Sequence, residues 1–141
     1  MLDLPNLNKM NSEDYAKLIR LADRDLIGPG VWFSLHMMAY HAQSSPVMRD
    51  ALIEYVQVLR EKFPCEECRQ HFNQLTDRLS PTAFENEEYG HFKWSYIAHK
   101  TVNERLGKET PSFEAAFRFF TDPKNDCKNC SLTKKKRGFA N

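Results

Sequence analysis

Apolar residues in this chain return at every third or fourth position along most of its length, and in no segment do they alternate. That spacing places them on one face of a helix rather than one face of a strand. The chain can then bury them only by packing helix against helix. Val31, Leu35, Met38, Ala39 and Ala42 make one stripe, with Trp32, His36 and Tyr40 on a neighbouring line at i, i+4 and i+8. Met48, Leu52, Tyr55, Val56, Leu59 and Phe63 make a second, opened by Pro46 and closed before Pro64, because proline suits a first helical turn and not an interior one. From about Phe84 to Leu106, one face carries Phe92, Tyr96, His99, Asn103 and Leu106, and Gly107 provides the stop. A short helix from about Ser112 to Phe120 gathers Phe113, Ala116, Phe117 and Phe120. Near the start, Ser12 can cap a helix bearing Tyr15, Leu18, Ile19 and Ala22, which Gly28-Pro29-Gly30 would end. Asn73 to Pro81 carries turn and capping residues.

The expected fold is an all-α bundle of about five helices. Its 141 residues suit one domain with room for a core and a bound group. Residues 28–121 form that domain, residues 1–27 a partly helical extension, and residues 122–141 a flexible C-terminal arm. With a formal net charge of +1 there is no global pull toward nucleic acid, and the basic run Lys134-Lys135-Lys136-Arg137 reads as a solvated tail. No run approaches the roughly 18 apolar residues of a membrane span, and the N-terminus lacks the basic-then-apolar order of a secretory signal.

Cysteine use is sparse and local: the four cysteines form two C-x-x-C pairs. That pattern points to redox or metal chemistry rather than to a disulfide scaffold. Cys65-Glu66-Glu67-Cys68 opens a predicted helix, where unpaired N–H groups and the helix dipole favour a thiolate. Glu66 and Glu67 oppose that effect, so moderate thiol acidity is expected. Cys127-Lys128-Asn129-Cys130 lies in a polar stretch that suggests exposure and mobility. About six residues separate it from the last helix, a reach of roughly 20 Å when extended. A tethered dithiol needs no permanent docking surface, because exchange passes through a transient mixed disulfide at high effective concentration. The competing reading is a four-cysteine zinc site serving an adaptor for a partner or nucleic acid, although zinc ribbons usually hold their knuckles roughly 15–20 residues apart. A thioredoxin-like fold would need a βαβ pattern that is missing here.

Trp32-Phe33-Ser34-Leu35-His36, Phe63-Pro64-Cys65-Glu66-Glu67-Cys68 and the string His99-Lys100-Thr101-Val102-Asn103-Glu104-Arg105-Leu106-Gly107-Lys108 together resemble the Erv/ALR family of FAD-linked sulfhydryl oxidases. The resemblance runs from about Gly28 to Phe120. It implies a four-helix bundle with an additional short helix, holding FAD and forming a homodimer. It also implies that Cys68 lies against the flavin and Cys65 exchanges with the relay pair Cys127 and Cys130. Trp32 and His36 would line the flavin, with Tyr40 on the same face, and His99, Val102, Asn103 and Lys108 would hold the nucleotide. Electrons would pass from reduced client proteins, or a thioredoxin-like intermediary, to O₂ with release of hydrogen peroxide.

Two departures stand out. The family usually has His-Asn where this chain has His99-Lys100, so Lys100 either faces the FAD phosphates or points to solvent. Cellular members often carry a further disulfide between the long helix and the segment after it, but Tyr96 and Ser112-Phe113 offer no cysteine. Its loss removes roughly 2 to 4 kcal/mol of cross-link stabilisation, which burial of Phe113, Phe117, Phe119 and Phe120 can offset. The cysteine-poor core and the Gly-Pro entry to Trp32 look closer to members from large cytoplasmic DNA viruses, implying the cytoplasm of an infected cell or a virion. The alternative is the mitochondrial intermembrane space.

Overall fold

A computed structural model describes residues 11–13 and 24–125, except for the side chains of Arg24 and Leu26. Among the described residues from Arg24 onward, five α-helices follow one another: α1 (Arg24–His41), α2 (Pro46–Lys62), α3 (Glu66–Arg78), α4 (Gly90–Leu106) and α5 (Phe113–Thr121). A 3₁₀ turn, Pro123–Asn125, comes after them. No strand occurs among the described residues, as the helical spacing requires.

Helix α1 runs straight through Gly28-Pro29-Gly30, which corrects the expected stop there. A proline normally pushes the preceding residue out of the helical region because its ring meets that residue's Cβ. Gly28 has none, so the helix survives at the loss of one backbone bond. Ser12 is itself helical rather than a cap; Tyr15, Leu18, Ile19 and Ala22 lie outside the described residues.

Ser45 caps α2, its side chain accepting from Met48 N at 3.2 Å, and Pro46 opens the first turn. The helix ends at Lys62, ahead of Pro64 as expected. Helix α3 continues to Arg78, which corrects the reading of Asn73–Arg78 as turn. The residues that suggested a cap there find helical partners instead. Thr76 Oγ1 donates back to Phe72 O at 2.9 Å, and Arg60 reaches across from α2 to Thr76 Oγ1, to Asn73 O at 3.3 Å and to Asp77 at 2.9 Å. A partner on a neighbouring helix thus outweighs local capping preference.

Helix α4 begins at Gly90, six residues after the expected Phe84. Phe84 to Tyr89 forms turns because Tyr89 takes a left-handed φ of 50°, and its N–H bonds Gln43 Oε1 at 2.7 Å. A Cβ on Gly90 would lie 1.6 Å from Phe84 O, so only glycine permits this close approach. At the far end Gly107, with φ 70°, closes the helix in the left-handed conformation.

Helix α1 packs on α2 and α4, α3 on α2, and α5 on α4. Leu35 and Ala39 from α1, Leu52, Val56 and Leu59 from α2, and Trp94 and Ala98 from α4 form the core. At about 1.5–3 kcal/mol for each large apolar side chain taken from water, these residues hold the bundle. Met48, expected on the buried stripe, is 37% exposed. Tyr96 ties α4 to the segment after it: its hydroxyl donates to Pro111 O at 2.8 Å while its ring meets Phe113 edge-on at 5.3 Å. Phe113, Phe117 and Phe120 surround Phe92 with ring centroids 5.6–5.8 Å away, whereas Phe119 stays 47% exposed. No helix among the described residues is long and apolar enough to cross a membrane.

Candidate active site

Pro64 ends one helix, and the chain re-enters the next with Cys65 at its N-cap in extended conformation. Cys65 Sγ accepts from Cys68 N at 3.3 Å, and Arg69 Nη1 donates to Phe63 O at 2.5 Å, tying down the intervening turn. Cys65 and Cys68 form a disulfide. Both sulfurs belong to half-buried residues in the first turn of α3, where the positive end of the helix favours an anion.

Beside this disulfide is a cleft of about 720 Å³, a volume within the usual range for small-molecule sites. Trp32 and His36 line it from α1, Cys68 and Phe72 from α3, and His99, Val102, Asn103 and Arg105 from α4. Lys108 follows just beyond Gly107, and Leu59, Phe63 and Phe120 add apolar surface. Asp25 and Glu109 add negative charge beside Arg105 and Lys108.

The expected residues Trp32, His36, Cys68, His99, Val102, Asn103 and Lys108 are therefore together. Tyr40 is not with them. It does not line the cleft but packs on Tyr89 at 5.4 Å and among Phe92, Phe117 and Phe120, an aromatic cluster that reaches the cleft through Phe120 and His36. Each step of four residues along a helix also turns about 40° beyond a full circle, so the third member of an i, i+4, i+8 line faces elsewhere. Cys65, bonded to Cys68, does not line the cleft. Cys127 and Cys130 lie outside the described residues.

Trp32 and His99 stack with centroids 4.3 Å apart and planes 3° from parallel. His36 Nε2 stands 2.9 Å from His99 Nδ1, and His36 Nδ1 stands 2.8 Å from Ser95 Oγ. Burial, then the charge of His99, lowers the pKa of His36 from 6.5 to about 4; burial, then Lys108, does the same for His99. Both rings are neutral at pH 7. Asn103 is buried and donates from Nδ2 to Thr110 Oγ1 at 3.1 Å, which holds the segment after Gly107 against α4. Lys100 points to solvent, 4.0 Å from Glu104, and does not line the cleft.

Sequence reasoning does not place Phe72, Arg105, Phe120 or Ser95 at the site, although it names Phe120 for packing and Arg105 within the family string. Phe72 lies one turn after Cys68, so helical register could have flagged it.

The chain matches the Erv1/Alr family over residues 29–129. A protein of African swine fever virus described as FAD-linked sulfhydryl oxidase is 32% identical over 89 residues, covering 61% of this chain and 72% of that protein. FAD-linked sulfhydryl oxidase ERV1 of Arabidopsis thaliana is 30% identical over 84 residues, 58% of this chain and 43% of its own length. Its counterpart in Oryza sativa subsp. japonica is 28% identical over 88 residues, with 60% and 44% covered. The chain thus spans less than half the length of these plant relatives. No solved structure matches it significantly. The matched span covers both the disulfide and the aromatic cleft beside it, and the chain belongs to the Erv1/Alr family.

Proposed function

We propose that this protein is an FAD-dependent thiol oxidase that introduces disulfides into client proteins. The observation that carries the reading is the Cys65–Cys68 disulfide with Cys68 on the wall of an aromatic cleft. The relatives' description as FAD-linked sulfhydryl oxidases supports it.

The cleft residues fit a flavin dinucleotide. The near-parallel Trp32 and His99 rings offer a flat apolar wall for a planar ring. Arg105 and Lys108 supply cations for its diphosphate. The Asn103 side-chain oxygen can receive an N–H, its amide nitrogen being engaged by Thr110. When bound, FAD supplies two-electron chemistry between a dithiol and dioxygen, with hydrogen peroxide as product.

The protein's own sulfurs collect the electrons. A client dithiol attacks the disulfide of Cys127 and Cys130, leaving with a new disulfide and its two protons lost to solvent. The reduced arm then attacks Cys65 Sγ, the Cys65–Cys68 bond breaks, and Cys68 departs as a thiolate stabilised by the α3 N-terminus. Closure of the arm's own disulfide releases Cys65, and the electron pair now resides on Cys65 and Cys68. Pairing of two copies into a homodimer is what membership of the family implies.

Cys68→Ser is expected to retain yellow flavin absorbance yet resist bleaching by dithiothreitol; ordinary dithiothreitol oxidase turnover in this variant would overturn the assignment. Cys130→Ala is expected to spare small-thiol oxidation and slow oxidation of protein clients, and equal loss of both would remove the relay. A colourless protein with stoichiometric zinc would favour the adaptor reading instead.

A further inference from the structure

Ser95 is fully buried on α4 and takes no part in the sulfur chemistry above. Its Oγ lies 2.8 Å from Phe92 O and 2.8 Å from His36 Nδ1. A carbonyl oxygen can only accept, so the one hydroxyl proton points to Phe92 O. Pointed elsewhere, it would leave two oxygen lone pairs facing each other at that distance. Ser95 therefore meets His36 as an acceptor, and His36 carries its proton on Nδ1.

Each ring is neutral and owns a single N–H. With His36 Nδ1 protonated, His36 Nε2 is a lone pair, and the proton in its 2.9 Å contact must come from His99 Nδ1. His99 Nε2 is then a lone pair as well. No described group hydrogen-bonds it, and it is not sealed away, since Asn73 Oδ1 alone among the described residues is a fully buried side-chain polar atom without a partner. One face of the His99 ring is covered by Trp32 and its Nδ1 edge by His36, so Nε2 is the polar atom that His99 shows to the cleft.

We propose that Ser95 is a positioning residue which, through His36, fixes His99 as a hydrogen-bond acceptor toward the cleft, favouring a planar ring with an in-plane N–H or amino donor. The proposal rests on the FAD reading only for its choice of probe. FAD offers two such donors, the N3–H of its flavin ring and the amino group of its adenine. Removing the Ser95 hydroxyl reverses the chain. His36 Nδ1–H would be buried without a partner, so the proton moves to Nε2 and donates to His99 Nδ1, whose own proton moves to Nε2. The edge facing the cleft changes from acceptor to donor.

Ring-¹⁵N NMR of histidine-labelled protein tests this without any flavin. His99 Nε2 is expected to show a pyridine-like shift and Nδ1 a pyrrole-like one, with the two exchanged in Ser95→Ala. A protonated His99 Nε2 in the unmutated protein overturns the proposal, whether or not the variant folds. Titration with FAD, with an analogue bearing hypoxanthine for adenine, and with an N3-methylated flavin analogue identifies the donor. One analogue is expected to bind roughly 10- to 100-fold more weakly than FAD, and Ser95→Ala should weaken FAD by a similar factor while sparing that analogue. Equal binding of all three ligands would also overturn the selectivity. Absence of any flavin binding alongside the expected tautomers would sink the FAD reading while upholding the assigned acceptor.

Discussion

Lowering the pH from neutrality toward 5 is expected to weaken the fold through His36 and His99. In an unfolded chain both rings titrate near 6.5, whereas in the folded protein burial holds each near 4. Between those values the unfolded state binds protons that the folded state refuses, so stability is full above about pH 6.5 and declines as the pH falls toward 4. A single ring shifted this far loses about 2 kcal/mol by pH 5. His99 borders the open cleft and is partly screened by water, so the pair together is assigned about 3 kcal/mol rather than twice the single value. For a domain of this size, that corresponds to a fall in Tm on the order of 10 °C. Urea unfolding followed by circular dichroism between pH 7.5 and 5 measures the slope. Repeating it with His36→Gln and His99→Gln combined should flatten the curve over that range. A double variant with the same slope as the unmutated protein, or no slope in either, would refute the assignment of buried neutral rings.

Two further outcomes follow from packing and from the cleft wall. Gly90→Ala places a methyl group 1.6 Å from Phe84 O, so it should cost at least about 3 kcal/mol by thermal unfolding; an unchanged Tm would mean that the Phe84–Tyr89 turn is misplaced. Lys100→Ala should leave FAD affinity, read by fluorescence quenching, within about two-fold, because the side chain lies in solvent beside Glu104. A ten-fold loss would place its charge on the cofactor after all.

The elements most legible in sequence were those with purely local causes. Pro46, Pro64 and Gly107 act on their own backbone, and each helix boundary they mark is where periodicity placed it. The misplaced boundaries depend on residues distant in sequence. Asn73–Arg78 stays helical because Arg60 reaches over from another helix, and Phe84–Tyr89 leaves the helix because Gln43 holds Tyr89. At the site, Cys68 stands out by its C-x-x-C spacing, whereas Trp32, His36 and His99 stand out only through their coincidence with it and with the family's strings. Ser95 does not, since a buried serine in a helix most often bonds its own backbone. Its second contact, to His36 on α1, exists only once α1 and α4 are packed. Tyr40 shows the converse case, a residue of the right kind on a helical line that turns away from the cleft.

The cap on α3 bears on how the sulfurs can turn over. Cys68 N donates to Cys65 Sγ, and this bond does not depend on the bond between the two sulfurs, because a thiol or thiolate accepts that N–H as a disulfide does. The helix therefore keeps its terminal ligand in both oxidation states. In the proposed reaction, electrons would arrive and leave while the backbone around Cys65 and Cys68 stays where Arg69 and Phe63 hold it. Reorganisation would then be confined to one sulfur–sulfur bond and the rotamers beside it, with Cys68 meeting the cleft from the same position in each proposed cycle.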